Sequence, residues 1–149
     1  MSKPFPLQTL LDLANTRMDD AARKLGEMIA NESEDCRKLE LLENYRSEYQ
    51  ARFSAACREG IDPHAWRNFS LFIGKLDEAI GAQRAVVEQA RQRTSQGQQA
   101  WVDQRSRVKA FDTLSKRHQA KAARSESKHE QRLTDEHASK QFRDRNSED

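Results

Sequence analysis

The chain has 149 residues, of which 36% are hydrophobic and 34% charged, with a net charge of +2. That is too little apolar material and too much charge for a thick core, and the length suits one domain rather than two. Five glycines and three prolines are too few turn residues for a sandwich or barrel, and the small net charge gives no overall field to hold nucleic acid.

The first twenty residues reach Asp12 without a long apolar run, so neither a secretory signal nor a membrane span is expected there and the chain is expected in the cytoplasm. Cys36 and Cys57 suit a reducing compartment better than a disulfide framework. Proline occurs only at Pro4, Pro6 and Pro63, so two long stretches lack that helix breaker. The first predicted element is a helix over about residues 6–59. Its apolar seam runs Leu11, Ala14, Met18, Ala21, Leu25, Met28, Glu32, Asp35, Leu39, Leu42, Arg46, Tyr49, Phe53 and Ala56. The steps alternate three and four without a slip, the spacing of a coiled-coil seam.

A turn is predicted near residues 60–62. Gly60 suits the left-handed residue that closes a helix, and Asp62 followed by Pro63 suits an N-cap and first helical position. The second helix is predicted over about 63–140, with seam positions Trp66, Phe69, Ile73, Leu76, Ile80, Gln83, Val87, Ala90, Thr94, Gly97, Trp101, Gln104, Val108 and Phe111. The fold class is therefore all-α, an antiparallel two-helix coiled-coil hairpin forming a single domain over 1–149. The turn sets a register in which facing residue numbers add to about 122. This places Trp66 against Ala56, Trp101 against Ala21 and Phe53 by Phe69, large against small where close packing requires it. Glu32, Asp35, Gln83, Thr94 and Gly97 are poor seam residues, and the zone around them is expected to be the softest part of the arms.

Residues just outside the seam differ between the two flanks of the hairpin. One flank carries Tyr45, Ala65, Phe72, Ala79 and Val86, interrupted by Lys38 and Arg52. The other reads Cys36, Glu43, Gln50, Ser70, Asp77 and Arg84. An apolar stripe with no third layer marks a contact surface or else thickens the seam. The stretch 112–149 has thinly spread apolar residues and nearly balanced charge; it is expected as an overhang, either a solvated helix or a fraying tail, and not as a one-signed nucleic-acid arm.

No catalytic constellation stands out. His64, His118, His129 and His137 are scattered, and Leu133 occupies the place of the second histidine of a zinc helix that would begin at His129-Glu130. There is no phosphate-binding glycine loop, and a two-helix hairpin offers no concave pocket. The expectation is a protein that is not an enzyme, with no cofactor and no metal site.

Several runs resemble the bacterial flagellar FliJ family. They include Pro6-Leu7-Gln8-Thr9-Leu10, Met18-Asp19-Asp20-Ala21-Ala22-Arg23, Leu25-Gly26-Glu27-Met28, Tyr45-Arg46-Ser47-Glu48-Tyr49 and the Gly60-Ile61 to Trp66-Arg67-Asn68-Phe69 region. Phe72-Ile73, Leu76-Asp77-Glu78-Ala79-Ile80, Trp101, Ala110-Phe111-Asp112-Thr113-Leu114 and Asp135-Glu136-His137-Ala138 continue the likeness, which covers roughly 6–138. The resemblance implies a component of the flagellar type III export apparatus, a coiled-coil stalk that enters the export ATPase hexamer and reaches the cytoplasmic part of the export gate protein FlhA. It implies contact with export chaperones, no nucleic acid, and attachment to the membrane only through partners. It places a gate contact at Leu42, Tyr45, Tyr49, Phe72, Leu76 and Ala79, whereas Gln83 stands where the family often has histidine. The stalk likeness places ATPase contacts at the end carrying the termini, on Leu7, Leu10, Leu11 and Leu114. Tyr45→Ala and Phe72→Ala are expected to weaken gate binding while leaving melting nearly unchanged. A structural or tethering hairpin of unrelated role is the alternative the residues leave open.

Overall fold

The computed structural model describes residues 3–148. Two helices account for nearly all of them, α1 over Gln8–Glu59 and α2 over Pro63–Ser147. Pro6 and Leu7 lie in a turn rather than in α1. The Gln8 amide donates to the Phe5 carbonyl at 3.1 Å, and Leu11 N–H to the Leu7 carbonyl at 2.9 Å. There are no strands among the described residues, and no helix there is long and apolar enough to cross a membrane.

The connection is built as its residues require. Gly60 has φ of 88°, which a side chain would strain, and its amide donates to the Cys57 carbonyl at 3.3 Å. Asp62 Oδ1 accepts the Ala65 amide at 2.7 Å, an N-cap that satisfies one of the unpaired donors opening α2. Pro63 follows as the first helical residue, where its missing N–H costs nothing.

The chain forms two compact units. One is Asp19–Val102, and the other combines the start of the chain through Met18 with everything from Asp103 onward. In each unit the two helices run antiparallel, and facing residues add to about 122. In the first, Phe53 stacks on Phe69 with ring centroids 5.2 Å apart, and Thr94 Oγ1 donates to the Met28 carbonyl at 3.4 Å. In the second, the Phe5 and His118 rings are 5.7 Å apart, and His118 Nε2 is 3.0 Å from the Lys3 carbonyl oxygen.

Every α1 position assigned to the seam is buried or half-buried, and so is every α2 position except Trp66. Trp66 is 52% exposed, which overturns its expected burial against Ala56. It lies in the first turn of α2, and helical side chains lean toward the N-terminus of their helix. Its ring therefore leans past the point where α1 has ended at Glu59. The seam also continues beyond Phe111 through Ser115, His118 and Ala122, in the same steps of four and three. From Ala123 onward every described residue is exposed; α1 itself begins at Gln8, opposite about position 114, and the contacts of Lys3 and Phe5 with His118 carry the cover a little further. Helix α2 nevertheless runs to Ser147 rather than ending near 140. No glycine or proline interrupts it after Gly97, and Arg132, Glu136, Lys140 and Asp144 alternate in charge at four-residue spacing.

Candidate functional site

The poor seam residues have partners. Glu32 lies 3.9 Å from Arg91, Gln83 Nε2 donates to the Asp35 carbonyl at 2.9 Å, and Thr94 Oγ1 donates to the Ala90 carbonyl at 3.0 Å as well as to Met28. Gly97 is buried beneath the Met28 thioether. Thus the zone expected to be soft is a close approach of the two helices, bridged by side chains that reach the opposite backbone.

The two flanks of the Asp19–Val102 unit carry different chemistry. On the polar flank, the Arg46 guanidinium bonds the Asp77 carboxylate and Arg84 pairs with Glu43 at 3.3 Å. The hydrogen bond from Arg46, aided by the charges of Arg46 and Arg84, holds Asp77 below the usual carboxylate range despite partial desolvation; the same contact raises Arg46. On the other flank lies a continuous aromatic cluster. Tyr49 contacts Phe69 at 5.3 Å and Phe72 at 4.5 Å, and Tyr45 meets Phe72 edge-on at 6.0 Å.

The residues assigned to the gate contact divide within this cluster. Tyr45, 44% exposed, and Ala79 lie open on the flank. Leu42, Tyr49 and Phe72 are half-buried, and Leu76 is buried at 7% exposure. Phe72 therefore both supports the seam and shows an edge outside it, so the expectation that its truncation spares melting needs correction. The heptad spacing alone brought Tyr45 and Phe72 to one flank, and the structure brings them into contact.

In the terminal unit, Leu10 and Leu114 are 45% and 41% exposed, while Leu11 is buried and Leu7 half-buried. Leu11 is a seam residue, leaving Leu10 and Leu114 as the accessible members of that set. The sequence reading passed over Leu13, which is also exposed, and the groove of Trp66, Leu71 and Gly74 on the outer face of α2. Leu71, outside both seam and flank, was the available signal. Among the described residues no cluster of three or more histidine, cysteine or carboxylate side chains could hold a metal ion.

Residues 2–147 match the family model described as Flagellar FliJ protein. The chain is 33% identical over 138 residues to the Flagellar FliJ protein of Salmonella typhi, covering 93% of this chain and 94% of that one. It is 32% identical over 138 residues to the Flagellar FliJ protein of Escherichia coli (strain K12), with the same coverage.

Proposed function

The chain belongs to the FliJ family, a family of flagellar export components, and from that premise we propose that it is a non-catalytic stalk and adaptor. It joins the hexameric export ATPase to the cytoplasmic part of the export gate and meets export chaperones, reaching the membrane only through these partners. The match along nearly the whole chain removes the reading in which family-like motifs occur by chance on an unrelated tether.

The observation that carries the adaptor reading is the aromatic flank. Tyr45 lies open above Phe72 and Tyr49, while the opposite flank is closed by ion pairs. An aromatic edge held rigidly on packed rings, beside apolar Ala79, is the kind of anchor that dominates interfaces. The end carrying the termini, with Leu10 and Leu114, serves the ATPase.

The test is capture of the purified cytoplasmic part of the gate by the full chain, compared with Tyr45→Ala and Ser70→Ala. Tyr45→Ala should weaken capture by about tenfold or more, a hot-spot loss, and Ser70→Ala should leave it unchanged. Equal capture by all three would remove the aromatic flank as the gate contact.

A further inference from the structure

Summed along the chain the last part of α2 is nearly neutral, yet its charges are sorted around the helix. Arg117, Lys121, Arg124, Lys128 and Arg132 follow one another in steps of four, three, four and four. At about 100° per residue these steps keep all five within an arc of about 80°, and at about 1.5 Å rise they form a row about 22 Å long. Glu126 and Glu130 fall on the opposite side of the helix. Ser115, His118 and Ala122 are the buried or half-buried residues of this stretch, and their mean direction lies about 110° from the centre of the row. The row is therefore turned away from the contact of His118 with Phe5.

All five cations are exposed. Among the described residues, no ion pair joins any of them to a carboxylate. The sequence offers Arg117, Lys121, Arg124 and Lys128 no carboxylate three or four residues away; Lys121, Arg124 and Lys128 have cations on both sides instead. Like charges at that spacing oppose the helix. One turn earlier the same helix does use the favourable arrangement, with Lys116 3.2 Å from Asp112. Beyond Arg132 the face carries Asp135 and Glu136, and then Phe142, 66% exposed, beside Arg143. A row of unopposed cations that weakens the free helix becomes favourable against an anionic surface.

We propose that this face of α2 lies on an anionic lipid bilayer, with the five cations on the headgroups and the Phe142 ring at the acyl boundary. Rows of four to eight cations on a helix suit such surfaces, and an exposed aromatic on the same face adds an apolar hold. The placement of the carboxylates favours a bilayer over a nucleic-acid duplex. A groove encloses a helix on both sides and would press Glu126 and Glu130 against phosphates, whereas a flat surface meets one side alone. Single strands stack their bases on aromatic rings between the cations; alongside this row lie Ala120, Ser125 and Gln131. A protein partner would need carboxylates in matching uneven steps, while lipid headgroups move to any spacing. The adaptor reading brings the chain to the membrane through its partners, and the inference goes beyond it by adding a direct contact there.

The test is co-flotation of the full chain with vesicles of equal parts phosphatidylglycerol and phosphatidylcholine, and with vesicles of phosphatidylcholine alone. The parent should bind the first, more weakly as salt rises, and ignore the second. Arg124→Glu with Lys128→Glu should lower that binding by about tenfold or more, with helicity and melting temperature unchanged or raised because like-charge neighbours are removed. Arg124→Gln with Lys128→Gln, which keeps good helix formers at both places, should lose binding in part. Lys75→Glu with Lys109→Glu makes the same change of net charge off the row and should bind as the parent does. Phe142→Ala should weaken binding severalfold and leave its salt dependence in place.

Several results would overturn the inference. They are no binding to the anionic vesicles, equal binding to both kinds, unchanged binding by both the Arg124–Lys128 double variants, or equal loss in the Lys75–Lys109 control. Tighter binding to duplex DNA, single-stranded DNA or polyglutamate than to the anionic vesicles at the same salt would also overturn it. Capture of the gate, run in parallel, separates this inference from the adaptor reading. Tyr45→Ala should bind vesicles like the parent, and Arg124→Glu with Lys128→Glu should capture the gate like the parent, so either reading can fail while the other stands.

Discussion

A methyl group at position 97 would lie 2.5 Å from Met28 Sδ, whereas nothing lies within 4 Å of one at position 81. The two glycines therefore make opposite predictions from the same substitution. Gly81→Ala should stabilise the chain by about 0.5–1 kcal/mol through helix propensity alone. Gly97→Ala gains the same propensity but must displace the thioether from a close approach, and overpacking costs about 1–3 kcal/mol. Thermal melting should rise for the first and fall for the second; a rise for both would mean that Met28 relaxes freely. The aromatic flank gives a second contrast. Phe72 is half-buried against Tyr49, so Phe72→Ala should cost about 1–2 kcal/mol, part of the full penalty for a buried ring. Tyr45, whose ring is the outer member of the cluster, should cost less than about 1 kcal/mol on truncation. Tyr45→Ala is consequently the clean probe of gate binding, and loss of binding by Phe72→Ala has to be read beside its melting curve.

At the scale of elements, the connection and the polar flank make separable contributions. Asp62→Ala removes the side chain that accepts the Ala65 amide and should lower stability by about 1 kcal/mol; Asp62→Asn should restore most of it, as seen in chemical denaturation. Asp77 has its carboxylate pKa depressed by Arg46, so its stabilising effect is present above the unfolded carboxylate value, near 3.9, and is lost as pH falls through the lower folded value. The parent should melt above Asp77→Asn at neutral pH, and the gap should close only in acid below about pH 4. A constant gap across that range would show that packing, not charge, accounts for Asp77. These elements were largely legible because an uninterrupted three-four alternation has one physical solution when a glycine and a proline mark the turn. Trp66 was misread because spacing reports which face a residue occupies, not whether the opposing helix extends far enough to cover its ring. The seam through Ser115 and His118 was missed because its residues are polar.

At the scale of the whole molecule, the proposed division of labour assigns gate binding to the aromatic flank of the Asp19–Val102 unit and ATPase binding to the terminal unit. Removing residues 112–149 tests it. The cut deletes Leu114, Ser115, His118 and Lys121, so the N-terminal segment loses the His118 ring that contacts Phe5 and the Lys3 carbonyl. It leaves Tyr45, Tyr49, Phe69 and Phe72 with all their mutual contacts. Packing energy in paired helices is local to each turn, and opening follows the local loss of buried contacts. Amide exchange should therefore quicken around Leu11 and Ala14 in the truncated chain, while Tyr49 and Leu76 keep their protection. Capture of the export ATPase should fall in step with the first change, and capture of the gate should follow the second and persist. Truncation that spared ATPase capture and abolished gate capture, with protection around Tyr49 intact, would reverse the polarity of the molecule and transfer the gate contact to Leu10 and Leu114.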